Sequence, residues 1–119
     1  MTDLADLIRQ KNERDREERE CIRSVMAVWR RNFAALRSVI QTINQELEAA
    51  GQRNRFDIDG ATIVHRGGSR ESYTTVGLHP YGLVTIGFRR SKLELGVDEC
   101  TESKWRDILT EIYKADEWL

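Results

Sequence analysis

Residues 22–51 read IRSVMAVWRRNFAALRSVIQTINQELEAAG and carry the clearest structural signal of the chain. Its apolar side chains recur at alternating intervals of four and three residues, at Ile22, Met26, Trp29, Phe33, Leu36, Ile40, Ile43, Leu47 and Ala50. This spacing is typical of one face of an amphipathic helix. The face could pack on a sheet, which Val25 and Val39 favour because they widen the stripe, or it could pair with a second helix as a coiled coil. The two interpretations are compatible if one half of the helix packs on the sheet and the other half pairs with a second helix.

The helix is predicted to continue far toward the N-terminus. Residues 2–50 contain neither proline nor glycine, Thr2 or Asp3 can cap the start, and Gly51 suits the left-handed position after the end. Residues 9–20 carry ten charges and no apolar side chain, and opposite signs recur four residues apart, which indicates a solvated helix.

Such a helix is too long for the domain that carries it. It would run about 70 Å, whereas a domain of this size has a radius of gyration of about 13 to 14 Å. We therefore divide the chain into a projecting charged helical arm, residues 1–20, and a single α+β domain, residues 21–119. Leu4, Leu7 and Ile8 share one face of the arm, and we call them the arm tip. A second copy, another protein or a folded-back arm could cover them; alternatively, the first eight residues fray.

After Gly51 the apolar periodicity changes to two, which predicts strands. We expect strands at residues 55–58, 62–66, 72–79, 83–90 and 93–97, and a last helix from Thr101 to Trp118. The fold class is therefore α+β: a long N-terminal helix, an antiparallel meander of four or five strands, and a C-terminal helix packed on the same sheet face. Trp29 or Phe33 should contact that last helix.

The central hairpin has a predictable register. Val76 and Leu78 share a face with Val84 and Ile86 only if the loop has three residues, 80–82, with Gly82 in the left-handed conformation of a G1 bulge. The opposite face then places Tyr73 against Arg89, Thr75 against Gly87, and Gly77 against Thr85. We call these six residues the outer patch, and predict that Tyr73, Thr75, Thr85 and Arg89 bind a partner there. An ordinary solvent-exposed face is the alternative.

A second candidate site binds anions. Residues 51–97 hold seven basic and four acidic side chains, although the whole chain has 19 basic and 20 acidic residues. Arg66, Gly68, Ser69 and Arg70 surround a glycine-rich turn whose amides could form an anion-binding nest. A plain hairpin loop is the alternative.

Several classes of function find no support in the sequence. No apolar run spans a membrane and the N-terminus lacks a signal peptide, which predicts a cytoplasmic protein. Cys21 and Cys100 are expected to be reduced thiols, and we predict no metal site and no cofactor. No catalytic motif frames His65 or His79, so an enzyme that uses His65 is the least favoured hypothesis.

We therefore expect a non-enzymatic protein-interaction module, dimeric through its long helix, that acts as an adaptor, a chaperone-like protein or an inhibitory binder. The alternative is a regulator or inhibitor that binds nucleic acid or an anionic ligand on the arginine-bearing sheet.

Overall fold

The computed structural model describes residues 3–88 and 91–116. Its elements are helix α1 (Leu4–Ala49), strands β1 (Arg55–Asp59), β2 (Thr62–Gly67), β3 (Arg70–Leu78), β4 (Leu83–Gly87) and β5 (Lys92–Gly96), a short 3-10 helix (Val97–Glu99) and helix α2 (Glu102–Ala115). The five strands pair antiparallel in the order β1-β2-β3-β4-β5. The predicted α+β fold is confirmed, with five strands in the meander.

Both helices begin where their capping residues place them. The side chain of Asp3 accepts a hydrogen bond from the backbone N–H of Asp6 at 3.1 Å, so Asp3 rather than Thr2 is the N-cap of α1. Thr101 caps α2 in the same way through the N–H of Lys104. Gly51, with a φ of 75°, takes the predicted left-handed conformation after α1.

The register of the central hairpin is the predicted one. Val76 pairs with Ile86 and Leu78 with Val84. The N–H of Gly82 donates to the carbonyl of His79 at 3.0 Å, and Gly82 has a φ of 96°, as a three-residue loop with a G1 bulge requires.

Some strand limits differ from the prediction. Strand β3 begins two residues earlier, at Arg70, because Gly67 and Arg70 form the last pair of the β2–β3 ladder. Strand β4 was expected to reach Arg90, which lies outside the described residues. The strand ends at Gly87, and the N–H of Phe88 then donates to the carbonyl of Ser91, the residue that precedes β5. Strand β5 ends one residue early, at Gly96, where the 3-10 helix begins. The predicted end of α2 at Trp118 lies outside the described residues.

The core lies between one face of the sheet and the two helices. Trp105 of α2 is fully buried, and its ring packs edge-on to that of Trp29 with centroids 6.4 Å apart, which confirms the predicted contact between α1 and the last helix. The indole Nε1 of Trp105 donates to the carbonyl of Asn32 at 2.8 Å, and the Asn32 amide donates to the carbonyl of Val97 at 2.8 Å. These buried hydrogen bonds fix α1, α2 and the 3-10 helix relative to one another.

A second asparagine attaches α1 to the sheet edge. Asn44 Oδ1 accepts from the backbone N–H of Phe56, and Asn44 Nδ2 donates to the carbonyl of Phe56, both at 2.8 Å. The side chain thus satisfies the N–H and the C=O of Phe56 in edge strand β1, which would otherwise be open to pairing with another chain.

The molecule is much longer than a compact domain of its size. Its principal extents are 73 × 26 × 19 Å and its radius of gyration is 19.5 Å. The first α1 side chain that packs against the core is Val25, although Glu18 still bonds to the sheet through Tyr81. The division of the chain at residue 20 stays an interpretation.

Candidate interaction surfaces

The arm tip is a cluster of exposed apolar side chains on a charged helix. Leu4 is 71% exposed, and Leu7 and Ile8 are each 51% exposed. The nearby ion pair between Arg9 and Asp6, at 3.1 Å, is a contact within the helix itself. The tip therefore offers an apolar surface that no described part of the core covers.

A second exposed apolar surface lies where the arm meets the domain. Tyr81, 70% exposed, and Leu83, 40% exposed, flank the bulge at Gly82, and we call these two side chains the hairpin tip. The Tyr81 hydroxyl donates to the Glu18 carboxylate, and this hydrogen bond together with the negative charge of Glu18 raises the tyrosine pKa. A β-carbon at Gly82 would lie 3.5 Å from the Val25 side chain, so the turn rests directly on α1.

The outer patch has the predicted pairing. Thr75 lies opposite Gly87 and Gly77 opposite Thr85, whereas Arg89 lies outside the described residues. A β-carbon at Gly87 would stand 2.5 Å from Thr75 Oγ1, and one at Gly77 would stand 2.8 Å from Thr85 Oγ1. The side chain that approaches each glycine is therefore a threonine of the adjacent strand.

Tyr73 is a large exposed side chain of the outer patch. Its ring is exposed, and its hydroxyl donates to the Glu71 carboxylate, which raises the tyrosine pKa. The structure brings Tyr73, Thr75 and Thr85 onto one face, and their role in binding a partner stays a prediction.

The predicted anion site surrounds the turn between β2 and β3. Gly68 has a φ of 64°, as expected for the first residue of a two-residue hairpin loop, and Ser69 and Arg70 are exposed. Arg66, however, already binds two carboxylates: its Nε lies 3.0 Å from Asp57 and its Nη1 lies 2.6 Å from Glu71. An incoming anion would compete with both, and anion binding here stays a prediction.

A buried polar cluster joins the sheet to the end of α2. We call it the polar cluster; its members are Asn54, His65, Ser72 and Asp116. His65 Nδ1 lies 2.6 Å from Asp116 Oδ2, and Ser72 Oγ donates to the same oxygen at 2.5 Å. Asn54 Nδ2 lies 3.0 Å from His65 Nε2, and the imidazole stacks on Phe56 with centroids 4.4 Å apart.

This arrangement differs from a nucleophilic triad, although it contains serine, histidine and aspartate. In a triad the serine bonds to the histidine nitrogen that is not held by the aspartate. Here that nitrogen, Nε2, faces the Asn54 amide, and Ser72 bonds to Asp116 instead. With the amide as donor, Nε2 accepts, Nδ1 carries the proton, and Asp116 accepts from both His65 and Ser72. The geometry is that of a satisfied buried network.

The sequence analysis considered His65 but did not identify Asn54 and Asp116 as its partners, or Ser72 as the second donor to Asp116. Strand periodicity could have placed His65 and Ser72 on the inner face, since His65 follows the buried Ile63 by two residues. Asp116 is 51 residues from His65 in sequence, and no local pattern links the two.

A cleft of about 1080 Å³ opens between α2 and the inner face of the sheet beside the polar cluster. Ser72 and Asp116 line it together with apolar side chains such as Leu93 and Ile108. Its lining includes Lys92 and Lys104 as well as Asp107 and Glu111, so neither sign of charge dominates.

The other predicted features can be compared only within residues 3–88 and 91–116. There, no group of three or more histidine, cysteine or acidic side chains is placed to hold a metal ion. Cys21 is an exposed free thiol and Cys100 a buried one, and burial raises the Cys100 pKa to about 11. Among these residues no helix has the length and apolar character of a membrane span.

Comparisons with protein-family models, with curated proteins and with solved structures find no match to this chain.

Proposed function

We propose that this chain is a non-enzymatic protein-interaction module of the cytoplasm, dimeric through its long helix, which acts as an adaptor, a chaperone-like protein or an inhibitory binder. The observation that carries the proposal is the exposed arm tip, Leu4, Leu7 and Ile8, at the end of a charged helix. Isolated exposed apolar residues are ordinary on protein surfaces, but three on one face of a projecting helix form a ready contact surface.

The energetics favour burial of this tip in a complex. Complete burial of a fully exposed leucine or isoleucine side chain is worth about 1.5–3 kcal/mol. These side chains are 51–71% exposed, so each of the six in two copies can gain only about half to two thirds of that value. The cost of association and of ordering side chains removes much of that gain. The remainder is compatible with a dimer that forms at about micromolar concentrations.

The test replaces the tip without changing the helix. We expect the intact chain to sediment as a dimer at tens of micromolar and the variant Leu4→Gln/Leu7→Gln/Ile8→Gln to sediment as a monomer. Glutamine keeps the helix propensity, so far-UV circular dichroism should be unchanged.

The matched control carries Arg9→Gln and Glu13→Gln, which lie on the opposite face of the arm and together leave the net charge unchanged, and it should remain a dimer. An intact chain that is monomeric at tens of micromolar, or a triple variant that dimerises like the intact chain, would remove the proposed dimer.

A further inference from the structure

We infer that the partner of the arm is a second copy of this chain and that the two arms pair antiparallel, about a point midway between Arg14 and Asp15. This inference rests on the proposed function, because it specifies the dimer that the arm forms. In such a pair, positions whose numbers sum to 29 lie at the same level along the two helix axes.

The charges of the arm obey this symmetry. Between residues 3 and 26, every level that holds two charges holds opposite ones: Asp6/Arg23, Arg9/Glu20, Lys11/Glu18, Glu13/Arg16 and Arg14/Asp15. A shift of one residue in either direction creates like pairs, such as Glu13/Asp15 in one direction and Lys11/Arg19 in the other. A parallel, in-register pair would place every charge beside the identical charge of the other copy, so that like charges would face each other. Of these arrangements, the antiparallel one with positions that sum to 29 places opposite signs at every shared level. Lys11/Glu18 and Arg14/Asp15 lie on or beside the face that carries Leu4 and Leu7, whereas the other three pairs lie on the far side of the helix and act only at long range.

The same operation brings apolar side chains together at both ends. It takes Leu4 to the level of Val25 and Leu7 to the level of Ile22. Ile22 and Val25 are only partly buried in the single chain. The arm tip of one copy therefore reaches the place where the hairpin tip of the other leaves Tyr81 and Leu83 exposed.

One face of α1 carries all the central contacts. Leu4, Leu7, Lys11, Glu18, Ile22 and Val25 follow one another at intervals of 3, 4, 7, 4 and 3 residues, a spacing that reads the same in both directions and keeps to one side of a helix. Lys11 of one copy then meets Glu18 of the other. The Glu18 carboxylate accepts the Tyr81 hydroxyl and has further lone pairs for an ammonium group.

The arrangement explains why this chain exposes apolar side chains at both ends of a charged shaft. A twofold interface is self-complementary, so each copy must supply both the tip and the surface that receives it. The overlap from residue 4 to residue 25 is about 32 Å long at 1.5 Å per residue.

A charge-reversal cycle tests the pairing. By twofold symmetry, Lys11→Glu and Glu18→Lys each convert two attractive contacts into repulsive ones, so each should weaken dimerisation about tenfold in low-salt buffer. The double variant Lys11→Glu/Glu18→Lys should recover the original dissociation constant to within about threefold. Arg16→Glu changes the net charge as Lys11→Glu does but lies on the opposite face, so it should have little effect.

Disulfide trapping gives an independent readout of orientation. In a Cys21→Ser background, with Cys100 buried, Lys11→Cys and Glu18→Cys chains are oxidised alone and as a mixture. The antiparallel pair brings Cα 11 of one copy close to Cα 18 of the other, whereas the two positions 11 are about 10 Å apart along the axis, beyond disulfide reach. We expect covalent dimers only in the mixture.

The outcomes separate this inference from the proposed function. Disulfides within either single variant, or failure of the double charge reversal to recover affinity, would overturn the antiparallel pairing even if the dimer still depends on the arm tip. A dimer indifferent to the arm-tip substitutions, or a chain that stays monomeric, would overturn both.

Discussion

Replacing Asp116 by alanine tests whether the polar cluster holds the end of α2 on the sheet. The substitution removes the acceptor of two hydrogen bonds, one from His65 Nδ1 at 2.6 Å and one from Ser72 Oγ at 2.5 Å. Both donors are buried, so water cannot readily replace the carboxylate. Each unsatisfied buried donor costs about 1–3 kcal/mol, which gives about 2–6 kcal/mol for the pair.

That loss is a large fraction of the roughly 5–15 kcal/mol by which a typical domain is stable. Two further substitutions separate the contributions of the two hydrogen bonds to this loss of stability. Ser72→Ala removes one donor and leaves Asp116 bonded to His65, so we expect about 1 kcal/mol. Asp116→Asn keeps an acceptor oxygen but loses the charge, so its cost should lie between those of Ser72→Ala and Asp116→Ala.

The assay is urea unfolding, followed by tryptophan fluorescence at one fixed protein concentration because a dimer links stability to concentration. Asp107→Ala, an exposed carboxylate on the same helix, is the matched control and should change the free energy of unfolding by less than about 0.5 kcal/mol. If Asp116→Ala costs under about 1 kcal/mol, the polar cluster does not anchor α2.

Two further predictions concern the outer patch and the buried thiol. Gly87→Ala should destabilise the domain by about 1–3 kcal/mol in urea unfolding, because the new β-carbon would stand 2.5 Å from Thr75 Oγ1; combined with Thr75→Ala, the same change should be neutral or stabilising. The Cys100 thiol has a pKa of about 11 in the folded chain against an ordinary 9.0, so the unfolded state loses this proton first as the pH rises. The free energy of unfolding should therefore fall between about pH 9 and 11, by on the order of 2 kcal/mol, and Cys100→Ala should lack that part of the slope; equal slopes in both proteins would contradict the assignment.

Local patterns in the sequence predicted much of the fold because they act over a few residues. The heptad stripe from Ile22 to Leu47 identified α1. In the β3–β4 hairpin, the requirement that the apolar side chains of both strands share one face predicted the loop length and the register. The predicted end of β4 was too late because apolar alternation continues to Phe88, whereas the strand ends at Gly87 and the Phe88 N–H bonds across to Ser91 beside β5.

The candidate surfaces were predicted less completely. The sequence singled out the arm tip because a helix of that length must extend beyond its domain. It could not show the hairpin tip, since the exposure of Tyr81 and Leu83 beside Glu18 depends on where the β3–β4 turn lands on α1. It also suggested Arg66 for anion binding, and only the paired strands bring Asp57 and Glu71 against that guanidinium.

The helices, the strands, their order as a meander and the alternating charges of the arm could be predicted from the sequence, because each of these follows from spacings of a few residues along the chain. Which polar groups meet depends on the packed tertiary structure: the Asn44 amide with the backbone of β1, the Trp105 indole with the Asn32 carbonyl, and Asp116 with His65. These hydrogen bonds join residues 12 to 73 positions apart and form where packed apolar faces exclude water. No local sequence pattern therefore predicts them.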